Sequence, residues 1–197
     1  MTRPPERTVE RRAFVAKLMS CIPDALVVTG LGAPTYDVFA AGDRDRNFYL
    51  WGAMGGATPM GLGLALAQPS KPVVVVTGDG EQLMGLGSLA TVGAQRPPNL
   101  TIVVLDNGHY GETGMQASHT RRGTDLVVVA KGCGVEDAFA VDTLQGADEI
   151  ARRVSARRGP TLACVRIDAN EPPRALPSRD GVFLKDRFRA ALGLKAP

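Results

Sequence analysis

The chain has 197 residues, 44% hydrophobic and 22% charged, a composition that suits one globular domain and excludes extensive disorder. It has no apolar run long enough to cross a bilayer, no apolar export signal at its charged start and only 5% aromatic residues, so we expect a cytoplasmic protein with neither a membrane nor a nucleic-acid partner. The net charge is +3, but residues 151–197 carry 11 Lys and Arg against 4 Asp and Glu, a basic tail that suits an acidic partner, an anionic substrate or a solvated helix face.

Short apolar runs alternate with helical spacing along the whole chain and predict its elements in order. In the first half we expect a helix over 7–20, strands at 25–29 and 47–51, a helix over 58–67, a strand at 73–77 and a helix over 81–95. In the second half we expect strands at 101–105, 138–141 and 161–167, and helices over 125–131, 147–157 and 182–192. This alternation predicts a three-layer α/β/α fold with a mostly parallel sheet. We interpret residues 1–197 as one domain, with a proline-rich, basic excursion and a closing helix at about 169–197.

Two predicted strands end in glycine turns that contain an oxygen-bearing side chain, Gly78-Asp79-Gly80 and Asp106-Asn107-Gly108. Ligands bind at the carboxyl ends of the strands in such sheets, so these oxygens converge if the strands are neighbours. A carboxylate, an amide oxygen and a main-chain carbonyl suit Mg²⁺ or Ca²⁺ and leave coordination positions for phosphate oxygens. Each residue alone would more commonly be a helix cap or a turn residue.

The two turns together resemble the signature of the thiamine diphosphate-dependent enzymes, a Gly-Asp-Gly followed some 25 residues later by Asn. The upstream segment Trp51-Gly52-Ala53-Met54-Gly55 is similar to the segment that precedes the family's helix beside the cofactor. The resemblance covers about residues 20–168 and implies the pyrophosphate-binding domain of that family, with thiamine diphosphate and Mg²⁺ (or Ca²⁺) as cofactors.

The resemblance also implies roles for individual residues. Asp79 and Asn107 would hold the metal together with the main-chain carbonyl of His109. Met54 would wedge under the cofactor and force its two rings into a V, and the carbonyl of Gly52 would accept a hydrogen bond from the aminopyrimidine. Further cofactor contacts are implied at Gly78, Gly80, Glu81, Tyr110 and Gly111.

Two side chains near the metal loop are candidate catalytic groups. Glu112 could relay protons, or it could simply begin a helical turn as a favourable carboxylate. The His109 ring could face the substrate, or it could pack on the surface, because its implied metal role uses only the main chain.

Full-length members of the family carry a second α/β domain, whose glutamate activates the cofactor. A chain of 197 residues has no room for it, so the resemblance implies a separate pyrimidine-binding subunit that supplies the glutamate. The stretch Pro97–Gln116 is most similar to the subgroup that acts on sulfopyruvate and phosphonopyruvate, although His109 and Met115 replace an expected small or aliphatic residue and a glycine.

The implied function is therefore decarboxylation of a small anionic 2-oxo acid, in which the cofactor ylid adds to the carbonyl, CO₂ is lost and an aldehyde is released. Carboligation, as in acetolactate-forming relatives, and a non-catalytic cofactor-binding or assembly role stay open. A nicotinamide-binding domain is a weaker alternative, because Gly30-Leu31-Gly32 follows a strand but lacks the third glycine and the acidic residue in register.

Overall fold

A six-stranded parallel sheet forms the centre of the computed structural model, which describes residues 9–195. In chain order the strands are β1 (Leu26–Thr29), β2 (Asn47–Tyr49), β3 (Val73–Gly78), β4 (Leu100–Asp106), β5 (His109–Tyr110), β6 (Gln116–Ala117), β7 (Asp137–Val141) and β8 (Thr161–Arg166). The sheet order is β2-β1-β3-β4-β8-β7, and β5 and β6 form a separate antiparallel hairpin.

The two central strands are buried along almost their whole length. Residues 73–77 of β3 and all seven residues of β4 are buried, as expected for β-branched strands covered on both faces. In their register Gly78 lies opposite Leu105, so the two strands end side by side. The turns that follow them therefore meet at one edge of the sheet.

Helices cover both faces of the sheet. They are α1 (Arg11–Cys21), α2 (Ala33–Ala40), α3 (Ala57–Ala67), α4 (Asp79–Met84), α5 (Ser88–Gln95), α6 (Leu126–Gly132), α7 (Gly146–Ala156) and α8 (Gly181–Ala191). One apolar cluster joins α1, α2 and α7 to one face, and a second joins α3, α5 and α6 to the other. The predicted α/β/α fold with a mostly parallel sheet is confirmed. Within residues 9–195, no helix combines the length and apolar character that crossing a bilayer requires.

The prediction of one helix over 81–95 was wrong, because the structure has two helices there, α4 and α5. The chain leaves the helix at Gly85, whose backbone packs on that of Gly55; a Cβ added to Gly55 would stand 2.9 Å from the Gly85 nitrogen. Since this contact needs glycine on both sides, close backbone packing interrupts a sequence with helical spacing.

Helix α2 was not predicted at all. It begins directly after Gly32 and carries Pro34 at its start, so its first residues looked like the continuation of a turn. The predicted N-terminal helix is present from Arg11, where the Glu10 carboxylate accepts hydrogen bonds from the nitrogens of Arg12 (2.9 Å) and Ala13 (2.5 Å). Residues 7 and 8 of that prediction lie outside the described residues.

Residues 170–180, which we call the C-terminal strap, run without regular secondary structure across the carboxyl edge of the sheet. Arg12 Nη2 donates to the Pro173 carbonyl at 2.9 Å, and Trp51 Nε1 donates to the Ser178 carbonyl at 2.9 Å. Helix α8 follows and is fastened beside β2, where Arg187 donates to the Asp43 carboxylate at 2.5 Å. The strap is thus held at both ends by the body of the domain.

Candidate functional site

A cavity of about 450 Å³ opens at the carboxyl edge of the sheet. Its wall is built from the turns that follow β1, β3 and β4, and the C-terminal strap closes one side through residues 171–174. This is the position where open α/β sheets bind ligands, because the chain turns to opposite sides after neighbouring strands.

Asp79 begins α4 at the bottom of this cavity and is 1% exposed. Its Oδ2 accepts hydrogen bonds from Ser118 Oγ at 2.5 Å and from Thr120 Oγ1 at 3.2 Å. Thr120 Oγ1 also lies 2.8 Å from Asp106 Oδ1, so two carboxylates share its single hydroxyl proton. Burial, and next the charge of Asp106, raise the pKa of Asp79 to about 6. A divalent cation would neutralise the charge that makes this site costly.

The hairpin after β4 explains how Ser118 and Thr120 reach Asp79. Strands β5 and β6 turn the chain back, and the Ser118 nitrogen donates to the Gly108 carbonyl at 2.8 Å, closing the loop. The chain then passes over the start of α4.

Asn107 lies on the same cavity wall at the end of β4 and is buried. Its Oδ1 accepts a hydrogen bond from the His109 nitrogen at 2.8 Å, which fixes the amide in an Asx turn. His109 Nδ1 lies 2.9 Å from the Asn107 carbonyl oxygen, so the ring folds back on its own loop. Residues 9–195 contain no cluster of three His, Cys, Asp or Glu side chains placed to hold a metal ion. A cation bound between Asp79 and Asn107 would therefore need further oxygens from a ligand.

Gly80 lines the cavity at the start of α4 and packs against the ring of Tyr110. A Cβ added there would stand 2.7 Å from the ring of Tyr110, whose hydroxyl lies 2.6 Å from His119 Nδ1. Because no side chain fits beside this ring, glycine is required at position 80 for Tyr110 to pack on the start of α4. The residues fit a diphosphate and its metal, because a buried carboxylate, an amide oxygen and the backbone of Gly78 and Gly80 line one cavity.

The carboxylate of Glu81 is directed away from the mouth of the cavity. Thr77 Oγ1 donates to Glu81 Oε2 at 2.8 Å, and the Ala57 nitrogen donates to Oε1 at 3.4 Å. Burial raises the pKa of Glu81, partly offset by these hydrogen bonds. The side chain therefore fastens α4 to the first residue of α3, and a contact with an anion would have to use its main chain.

Met54 and Met84 form an apolar rim on the cavity and are 40% and 63% exposed. Gly52 lies in the same loop as Met54, with a φ of +73°, but outside the cavity lining. The other residues predicted to contact cofactor or substrate all line the cavity: Met54, Gly78, Asp79, Gly80, Glu81, Asn107, His109, Tyr110, Gly111 and Glu112.

Glu112 lies on the side of the cavity formed by α2. A Cβ added to Gly32 would stand 2.8 Å from Glu112 Oε1, and Arg174 Nη2 of the strap lies 3.7 Å from Glu112 Oε2. Burial, followed by the charge of Glu112 and a hydrogen bond with it, raises the pKa of Tyr36. The structure thus groups a carboxylate, a phenol and a guanidinium on this wall.

Sequence reasoning missed Leu31 of the cavity wall, the hydroxyl partners of Asp79 and the role of the strap. The turn Gly30-Leu31-Gly32 was considered only as a possible nicotinamide-binding motif. Because it follows the end of β1, where such sheets also bind ligands, Leu31 could have been predicted to line the cavity. Ser118 and Thr120 lie 39 and 41 positions from Asp79, and no spacing rule indicates them. The strap was noticed only as a proline-rich, basic stretch.

The family described as "Thiamine pyrophosphate enzyme, C-terminal TPP binding domain" matches residues 35–165. The chain is 45% identical over 175 residues to sulfopyruvate decarboxylase subunit beta of Methanocaldococcus jannaschii, covering 85% of this chain and 88% of that one. It is 41% identical over 186 residues to phosphonopyruvate decarboxylase of Streptomyces viridochromogenes, covering 91% of this chain and 45% of that one. The chain thus spans most of one relative and about half of the other.

Among solved structures, the fold is similar to the thiamine diphosphate-dependent 4-hydroxybenzoylformate decarboxylase of Rhodococcus jostii RHA1, with a TM-score of 0.70 at 23% identity. The match covers 87% of this chain and 35% of that one. At this identity the likeness concerns the fold alone.

Proposed function

Because this chain belongs to the thiamine pyrophosphate enzymes, through their C-terminal TPP-binding domain, we propose that it is the thiamine diphosphate-binding subunit of a two-chain 2-oxo acid decarboxylase. The proposal rests on one observation: Asp79 and Asn107 line the same cavity, at the ends of two adjacent strands. The names of the relatives, decarboxylases of sulfopyruvate and phosphonopyruvate, support the same reaction class.

The residues on the cavity wall would divide the work of holding the cofactor. Asp79 and Asn107 would hold Mg²⁺, and the backbone of Gly78 and Gly80, which lines the same cavity, would face the diphosphate. Met54, at the mouth of the cavity, would contact the cofactor rings. When bound, thiamine diphosphate supplies the electron sink for the bond broken on loss of CO₂.

The substrate we propose is a small 2-oxo acid with a second acidic group, such as a sulfonate or a phosphonate. The partner we propose is a pyrimidine-binding subunit that supplies the activating glutamate. Support comes from the relative named as subunit beta, which is covered over 88% of its length, and from the relative named as a whole decarboxylase, which is covered over 45%.

The test is a reconstitution of the chain with a candidate pyrimidine-binding subunit, Mg²⁺ and thiamine diphosphate. Sulfopyruvate, phosphonopyruvate and pyruvate are offered separately, and CO₂ and aldehyde are measured. We expect aldehyde and CO₂ in equal amounts from one of the two acids with a second acidic group. A condensed product from pyruvate would instead show a carboligase, and cofactor binding without turnover of any acid would show a non-catalytic subunit.

Replacing Met54 with Ala should lower turnover more than cofactor affinity. Metal and diphosphate contacts contribute most of the affinity, whereas the Met54 side chain acts on the ring conformation at the mouth. We expect kcat of the assembled enzyme to fall by about tenfold or more, with a change in cofactor Kd of about threefold or less. Met60→Ala is the matched control, because Met60 is similarly exposed, at 38%, but lies outside the cavity. Unchanged kcat with a weakened cofactor Kd in M54A would contradict this division.

A further inference from the structure

The wall of the cavity near α2 contains a carboxylate surrounded by groups that favour anions. Glu112 lies against Gly32, acts through its charge on the hydroxyl of Tyr36 and has Arg174 Nη2 at 3.7 Å. The Arg174 guanidinium also lies 5.6 Å from the centre of the Tyr36 ring, so the two donors form one unit. Glu112 is the anionic partner of these two donors, and a bound anion could take its place.

Within residues 9–195, Arg11 and Arg174 line the cavity, and they differ in how firmly they are paired. Arg11 is buried, with its side chain 6% exposed and its Nε 2.5 Å from the buried Asp37 carboxylate. Arg174 is 58% exposed, and its ion pair with Glu112 is long, at 3.7 Å. An exposed pair of this length contributes little to stability. Arg174 can therefore exchange its partner, whereas Arg11 is committed to Asp37.

We propose that Arg174 and Tyr36 form a binding site for a tetrahedral oxyanion, and that Glu112 occupies this site until the anion displaces it. The inference deepens the proposed function and rests on it for the identity of the ligand. Two ligands there carry such a group: the terminal phosphate of thiamine diphosphate, and a sulfonate or phosphonate on the substrate. A planar guanidinium and a phenol hydroxyl suit these oxyanions well, because both donate to their oxygens.

A natural reporter of this exchange contacts the strap. The chain has a single tryptophan, Trp51, whose Nε1 donates to the strap carbonyl of Ser178 at 2.9 Å. The guanidinium of Arg179 lies 5.1 Å from the centre of its ring, and the ring of Tyr36 lies 6.3 Å away. A change at Arg174 or Tyr36 should therefore alter the Trp51 fluorescence.

The first experiment titrates the full-length chain with inorganic diphosphate, without Mg²⁺ so that Asp79 and Asn107 do not contribute, and follows Trp51 fluorescence. We expect Arg174→Gln to weaken binding by about tenfold, since a charged hydrogen-bond donor is lost. We expect Glu112→Gln to tighten binding several-fold, because the competing charge is removed. Arg152→Gln, the same change at an exposed position of α7, should have no effect. Equal affinity in R174Q and the native chain would overturn the proposal.

The second experiment identifies which oxyanion is bound, using the chain assembled with its partner. A weaker Kd for Mg²⁺–thiamine diphosphate in R174Q would assign the site to the cofactor. An unchanged cofactor Kd, with a higher KM for sulfopyruvate or phosphonopyruvate but not for pyruvate, would assign it to the substrate. An unchanged cofactor Kd with unchanged KM values would overturn the proposal. If the native assembly releases no CO₂ from any acid while the diphosphate titration behaves as expected, the proposed function fails and the anion site stands.

Discussion

Replacing Asp79 with Asn should abolish the Mg²⁺-dependent binding of thiamine diphosphate and make the ligand-free chain more stable. The change removes the carboxylate from a predicted metal set whose other members, Asn107 and a main-chain carbonyl, are neutral. Substitutions that only support metal ligands already cost about 10–100-fold in affinity, so we expect a loss on the order of 100-fold or more. Calorimetric titration with thiamine diphosphate in Mg²⁺ measures this directly.

The gain in stability follows from the environment of the same carboxylate. Burial and the neighbouring charge of Asp106 raise the pKa of Asp79, so the folded chain binds this proton more tightly than the unfolded chain does. Stability from this group is therefore fully present below about pH 4 and is lost as the pH rises to about 6. The D79N variant keeps the hydrogen bonds that an oxygen can accept but has no charge to bury. Its free energy of unfolding at pH 7.5 should exceed that of the native chain by about 3 kcal/mol.

Two measurements make this prediction specific. Thermal unfolding without ligand should show the higher Tm of D79N at pH 7.5 and a smaller difference at pH 4. Asp142→Asn, the same change at an exposed turn, should alter neither the Tm nor the cofactor affinity. Undiminished Mg²⁺-dependent affinity in D79N would show that the metal lies elsewhere. A lower Tm would show that Asp79 acts mainly as a structural cap.

The edge of the sheet that holds the site was predictable from the sequence, because it depends on local signals. The buried runs at 73–77 and 101–105 and the turns after them identify two neighbouring parallel strands, and the oxygens of Asp79 and Asn107 then have to meet. The strand register agrees with this expectation, because Gly78 at the end of β3 lies opposite Leu105 near the end of β4. Family resemblance added the identity of the ligand, which strand ends alone do not specify.

Other parts of the site and its surroundings depend on tertiary contacts that leave no local pattern. Ser118 reaches Asp79 only because the hairpin after β4 turns the chain back. The break between α4 and α5 depends on the backbone of Gly55 packing against Gly85, a residue 30 positions away. Arg174 joins the wall only because the strap crosses the edge of the sheet. In each case the sequence separation is too long for a periodicity or motif to indicate the contact.

The purified chain should turn over 2-oxo acids only when a pyrimidine-binding partner is added. Within the described chain, four carboxylates line the cavity, and three of them already have partners. Asp79 accepts from Ser118, Glu81 accepts from Thr77, and Glu112 interacts with Tyr36 and Arg174. A catalytic proton-transferring group contributes about 10²–10⁴-fold to a rate, so its absence should lower turnover by at least about 100-fold.

The fourth carboxylate is Glu171 of the strap, and testing it decides whether the activating glutamate comes from this chain or from the partner. The exposed side chains of Met54 and Met84 form an apolar rim around the mouth, and a partner that packs there would exclude water and bring its own glutamate to the cofactor. We therefore expect CO₂ release to rise with added partner and saturate at a fixed ratio of the two chains. Glu171→Gln should leave this saturating rate within about twofold of the native value, since the carboxylate it removes is not the activating one. Full turnover by the chain alone, abolished in E171Q, would mean that the strap supplies the glutamate and would overturn the two-chain proposal.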